Sequence, residues 1–228
     1  MNKFFKILVL FLVNYCEIIS FSLAQDSWAR KTLSKLTLRE KIGQLFVVAA
    51  TSDPEILQEK LASGAWENLY NLDQDYIERL IKEYKIGGLI FLYGNTPSKQ
   101  IEAIKYYQQL SDTPLLITQD CEWGINMRHK DAIKFPRNLT LGAIQDKNKI
   151  YELGKEIARQ CKVVGVHMNF SPVVDCNNNP ANPVIHDRSF GDEPNLVAEY
   201  GDLMMLGLQD EGVLACAKHF PGHGDTDV

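Results

Sequence analysis

The segment Lys218-His219-Phe220-Pro221-Gly222-His223-Gly224-Asp225-Thr226 places an ammonium, two imidazoles and a carboxylate within nine residues. It closes an apolar run, Val213 to Ala217. A lysine at the end of a buried run is costly unless something anionic or rich in hydroxyls satisfies it. The Phe-Pro bend and the two glycines let the backbone turn tightly and keep the polar groups near one another. Asp120 and Asp175 end two further apolar runs. Asp175, followed by Asn177, Asn178 and Asn179, reads as a turn former. A metal site built from His219, His223 and Asp225 is the rival chemistry. No helix keeps His219 and His223 on one face and no CxxC pair exists, so no metal is assigned.

The elements that must carry these residues alternate. Thr37-Leu38-Arg39-Glu40 is a capping box that opens a short helix. Strands buried on both faces are expected at Leu45 to Ala50, Leu89 to Tyr93, Leu115 to Thr118, Val163 to Val174 and Val213 to Ala217, the fourth broken by Pro172. Helices are expected at Asp73 to Tyr84, Pro97 to Leu110, Asp146 to Lys162 and Leu196 to Leu208, from apolar residues at helical spacing. Five alternations of this kind make an α/β protein with a parallel sheet. A doubly wound nucleotide binder would carry a glycine-rich phosphate loop, and neither GxGxxG nor GxxxxGK[ST] is present. A TIM (β/α)8 barrel needs about 250 residues. The expectation is therefore a barrel with only its first five βα units, its strand C-termini opening on one face.

Residues 1–24 read as a signal peptide. Lys3 and Lys6 give a positive start, an apolar stretch runs to Val13, and Ser22-Leu23-Ala24 supplies the small residues of a cleavage site before Gln25. Asn14 and Glu17 interrupt the run short of the roughly 20 residues a membrane span needs. The expectation is an exported protein, periplasmic or extracellular, with no membrane attachment after cleavage. Residues 25–228 then form one domain, large enough to fold without disulfides, so Cys121, Cys161, Cys176 and Cys216 are expected as free buried thiols. The net charge of −5 argues against nucleic-acid binding. His167 reads as a satisfied core histidine, and His129 and His186 as surface loop residues.

KHFPGHGDT resembles the signature of glycoside hydrolase family 3, in its β-N-acetylhexosaminidase branch. Four further segments resemble that family in the same order. Gly87-Gly88-Leu89-Ile90-Phe91 is similar to its second strand. Asp120-Cys121-Glu122-Trp123-Gly124 is similar to its D-x-E-G-G turn, with Arg128 at the place of the arginine that follows. Asn169 to Asp175 is similar to N-F-A-P-V-x-D, and Asp187-Arg188-Ser189-Phe190-Gly191 matches D-R-S-F-G.

The resemblance implies a barrel whose pocket holds terminal N-acetylglucosamine, gripped by Asp120, Arg128, Arg188, Lys218 and His219, with no cofactor. Carboxylates accept hydroxyl protons, and Arg and Lys donate in fixed directions. Read by itself, Arg188 pairs equally well with Asp187 or Asp192. Trp123 stands where the pattern has glycine, adding bulk near the pocket or a face for a sugar to stack on. The implied activity is retaining hydrolysis of terminal β-linked N-acetylglucosamine from oligosaccharides or peptidoglycan fragments. The alternatives are a β-glucosidase of the same family and an inactive, truncated sugar-binding remnant. The family's acid/base His-Asp pair and its nucleophilic aspartate are expected beyond Val228, which leaves no catalytic residue in this chain. The aglycone and the oligomeric state are not readable from the sequence.

Overall fold

A computed structural model describes residues 28–53, 73–93, 96–129 and 131–226; the expected leader lies outside them. Helix α1 (Leu38–Gly43) opens on the capping box, with the Glu40 amide donating to Thr37 Oγ1 and the Thr37 amide to Glu40 Oε2 at 2.8 Å. Strand β1 (Val47–Thr51) follows. Helix α2 (Gln74–Tyr84) is capped by Asp73 and buries Ile77 and Ile81. After β2 (Gly88–Tyr93), α3 (Pro97–Leu110) starts on a Thr96 cap with proline in its first turn. Strand β3 (Leu116–Gln119) leads through the single turn α4 (Asn138–Leu141) to α5 (Asn148–Val163). The last pair of units holds β4 (Met168–Asn169), α6 (Pro194–Asp210) and β5 (Leu214–Ala215).

All five strands are parallel and hydrogen-bonded in chain order, β1-β2-β3-β4-β5. That order is the one a barrel wall needs. A doubly wound sheet reverses direction at a switch point, and this sheet has none. The core is built from the strands (Ala50, Leu89, Phe91, Ile117) and one face each of α2, α3, α5 and α6, including Ile81, Ile104, Ile157 and Met204. Each of the larger side chains, such as Leu89, Phe91 or Ile117, contributes about 1.5–3 kcal/mol by leaving water. Helices α5 and α6 approach backbone to backbone at two glycines. A Cβ on Gly154 would stand 2.5 Å from the Met204 carbonyl oxygen, and one on Gly207 would stand 2.3 Å from that of Tyr151.

Three strands differ from expectation, the fifth in being held to Leu214–Ala215 with Leu214 55% exposed. Leu45 and Phe46 are 82% and 56% exposed, because their amides still bond back to Ile42 and Gly43 and prolong the α1 turn. The strand begins only at Val47. The long fourth strand shrinks to two residues, since Val163 ends α5 and Pro172 has no amide hydrogen to donate. Cys216 instead bonds both Asn169 and Ser171, and the ladder resumes with Lys218 N to Pro172 O at 3.0 Å and Val174 N to Lys218 O at 2.7 Å. This irregularity carries the pairing forward, so that Asp175 and Lys218-His219 lie side by side. Among the described residues the four cysteines are free thiols; Cys121 and Cys161 are buried, whereas Cys176 and Cys216 are only half-buried.

Candidate active site

Asp120 follows β3, and the turn after it is clamped from β4. Asn169 accepts from the Cys121 amide at 2.9 Å and donates to the Cys121 carbonyl at 3.2 Å. Gly124, at φ +86°, lets the chain reverse in a place where a Cβ would strike Phe135 and Gln160. A single 3₁₀ turn, Ile125–Met127, then delivers Arg128 back to the strand end. Its guanidinium bonds Asp120 Oδ2 at 2.6 Å, the Asp120 carbonyl at 3.3 Å and the Leu92 carbonyl at 3.2 Å.

From β5, Lys218 Nζ lies 2.8 Å from both Asp120 Oδ1 and Glu122 Oε1. Glu122 in turn receives a two-pronged contact from Arg188, Nη2 to Oε1 at 2.8 Å and Nε to Oε2 at 2.9 Å. Arg128, Asp120, Lys218, Glu122 and Arg188 thus form one continuous chain of charge, three cations against two carboxylates. Burial pushes both carboxyls up. Lys218 and Arg128 outweigh it at Asp120, as Arg188 and Lys218 do at Glu122, and both stay below their ordinary values. His219 joins from the side, its Nδ1 2.6 Å from Asp175 Oδ2. A cavity of about 620 Å³ lies beside it, lined by Asp175, Cys176, Asn178, Phe220 and Asp225.

The structure therefore gathers Asp120, Arg128, Arg188 and Lys218 into one network and sets His219 next to Lys218. It corrects four readings. Asp175 is a buried acceptor for three donors: the His219 ring, the His219 amide at 3.2 Å and the His223 amide at 2.7 Å. Arg188 pairs with Glu122; Asp187 takes Arg137 instead, at 2.7 Å. His129 is fully buried and neither ring nitrogen has a hydrogen-bond partner among the described residues, while burial lowers its pKa. His167 is exposed rather than in the core, although its Nδ1 accepts from the Ile117 amide at 3.0 Å. His186 is exposed as expected. One face of Trp123 is covered by Arg137, 4.4 Å above the ring centroid.

Glu122, Asp175 and Asn169 were not marked as site residues by sequence. Each sits in a motif quoted above, and the available signal was position: acidic or amide groups at the C-terminal ends of apolar strands. Among the described residues no cluster of three metal-ligating side chains forms. His223 Nδ1 is bonded to the Thr226 hydroxyl.

The glycosyl hydrolase family 3 N-terminal domain pattern matches residues 37–228. The chain belongs to glycosyl hydrolase family 3. Within the family it is similar to the beta-hexosaminidase A of Pseudoalteromonas piscicida, at 36% identity over 67% of this chain and 27% of the relative. It is 30% identical to a beta-N-acetylglucosaminidase/beta-glucosidase of Cellulomonas fimi over 90% of this chain and 33% of the relative. Among solved structures it is similar to a family 3 beta-N-acetylglucosaminidase from Paenibacillus. That match has 35% identity and a TM-score of 0.65, covering 85% of this chain and 35% of the other. The chain spans about a quarter to a third of the length of each of these three proteins. Its five consecutive parallel strands and the helices between them are arranged as in the family's α/β barrel.

Proposed function

We propose that the protein carrying this chain hydrolyses terminal β-linked N-acetylglucosaminides, with retention, and that this chain supplies the wall that grips the sugar. The carrying observation is the Arg128–Asp120–Lys218–Glu122–Arg188 network at the strand C-termini. It holds the Asp120 carboxylate ionised as an acceptor for paired hydroxyls. Lys218 has three donor hydrogens and two carboxylate partners, so one remains for a sugar oxygen. The relatives named above support the N-acetylglucosaminide over other sugars. The double name of the Cellulomonas protein keeps the glucoside as the second reading.

Retention requires a nucleophilic carboxylate and an acid/base group on either side of the bond. Neither role is assigned to a described residue. His223 is tied through its amide to Asp175 and through its ring to Thr226, which suits a loop anchor. In the same proposal the protein is exported after cleavage before Gln25, and fragments of peptidoglycan are the natural substrate.

The test is hydrolysis of p-nitrophenyl N-acetyl-β-glucosaminide and of the matching glucoside by the full-length gene product recovered from an exporting host. Faster turnover of the acetamido sugar is expected, from a product beginning at Gln25. Preference for the glucoside would move the activity to that branch. Binding of N-acetylglucosamine without turnover of either substrate would make the protein a sugar-binding remnant.

A further inference from the structure

The Asp175 side chain is completely buried, yet it lies at the edge of the cavity beside His219. Its two oxygens are spent on one loop. Oδ1 accepts the His223 amide, and Oδ2 accepts the His219 amide and faces His219 Nδ1. The strand pairing described above brings the two residues together. Its own backbone is fixed as well, since Ser189 donates its hydroxyl to the Asp175 carbonyl. An ionised carboxylate only accepts, so the Nδ1 position facing it must carry the proton. The neutral imidazole then has a bare Nε2. One third of the His219 side chain remains exposed.

We propose that Asp175 is a positioning residue of the sugar site. It selects the Nδ1–H tautomer of His219 and turns Nε2 outward as an acceptor for a substrate hydroxyl, while holding the loop that carries the ring. This deepens the proposed function and rests on it for the identity of the ligand. The tautomer itself can be read without substrate. Asp175 acts through His219 and touches no sugar, which distinguishes it from Asp120 and Lys218.

Two measurements on the full-length protein test the assignment. The first is long-range ¹H–¹⁵N NMR of the histidine-labelled protein at about pH 8, above the ordinary imidazole range. It should give His219 a protonated Nδ1 and a bare Nε2. The reverse pattern in the wild type would overturn the proposal whatever the enzyme's activity. The second uses Asp175→Asn, which keeps the volume. Its carbonyl can serve the His223 amide and its NH₂ faces His219 Nδ1, so the proton should move to Nε2, while the His219 amide loses its acceptor. A kcat/KM loss of about 10- to 100-fold on the p-nitrophenyl acetamido sugar is expected. The same substitution made in a His219→Ala background should cost distinctly less, because the share that runs through the ring is gone and only the two loop amides remain. An undiminished loss there would assign Asp175 a purely structural role. A wild type inactive on every glycoside tested would sink the functional reading and leave the NMR result to decide this one.

Discussion

Glu122 gives both of its oxygens to cations that come from two different loops, Lys218 after β5 and Arg188 in the turn before α6. It is 2% exposed, so removing it takes the carboxylate from Arg188 and leaves Lys218 with Asp120 alone, in a place water barely reaches. Glu122→Ala should cost about 3–5 kcal/mol in urea unfolding, the usual consequence of breaking a buried pair from one side. A loss below about 1 kcal/mol would mean that solvent repairs the gap. Acid should act on the same groups. Asp120 and Glu122 have folded-state pKa values below their ordinary ones, so an unfolded chain binds more protons in this range. Their contribution is complete above the ordinary carboxylate range near pH 4 and is lost as pH falls through the folded values. The melting temperature of the wild type should therefore drop on acidification below about pH 4, and more steeply than that of Glu122→Ala.

At the scale of elements, legibility tracks how local the determinants are. Helix α3 runs over the residues its Thr96 cap, Pro97 and the spacing of Ile101, Ile104 and Tyr107 dictate, all within one stretch of chain. Strand β4 depends on what its neighbours offer, and Pro172 together with the doubled bond to Cys216 removed most of it. The site follows the same rule. Lys218 and Asp120 were readable from residue type and strand-end position. The partnership of Asp175 with His219 was not, because it depends on the register of β4 against β5 across 44 positions. The helices on either side of β4 in the chain, α5 and α6, meet at Gly154 and Gly207. Gly207→Ala forces a Cβ against the Tyr151 carbonyl and should destabilise the fold by about 1–3 kcal/mol. It should also weaken amide-exchange protection at Met168 and Leu214, which pair directly. Unchanged protection there would show that the strands hold their register without the helices.

At the scale of the whole molecule, the described strands form one wall in chain order. Among the described residues β1 has a strand neighbour only in β2, and β5 only in β4. Beside β1 lies an apolar hollow of about 790 Å³, lined by Leu38, Ile42, Phe46, Leu80 and Tyr84 among others. Open edges and apolar surface of this kind promote self-association. Light scattering on the 228-residue chain expressed alone should report a mass well above 25.9 kDa. A monodisperse species at that mass would show that these surfaces are covered within one copy. The barrel order was legible because each strand follows its neighbour in sequence. The exposure of Leu45 and Phe46 was not, since an apolar run reads the same on either side of a wall.

The charge chain also sets an order of events during synthesis. Asp120 meets Lys218 98 positions later in the chain, and Glu122 meets Arg188 after 66. A ribosome adding about 5–20 residues per second leaves Asp120 waiting roughly 5–20 s for its second cation. Through that interval the turn after β3 has Arg128 as a partner for Asp120 and none for Glu122 until Arg188 has emerged. Slow codons between positions 188 and 218 would lengthen the wait, and a nascent chain paused there holds the acidic half of its pocket before the last of its counter-charges exists.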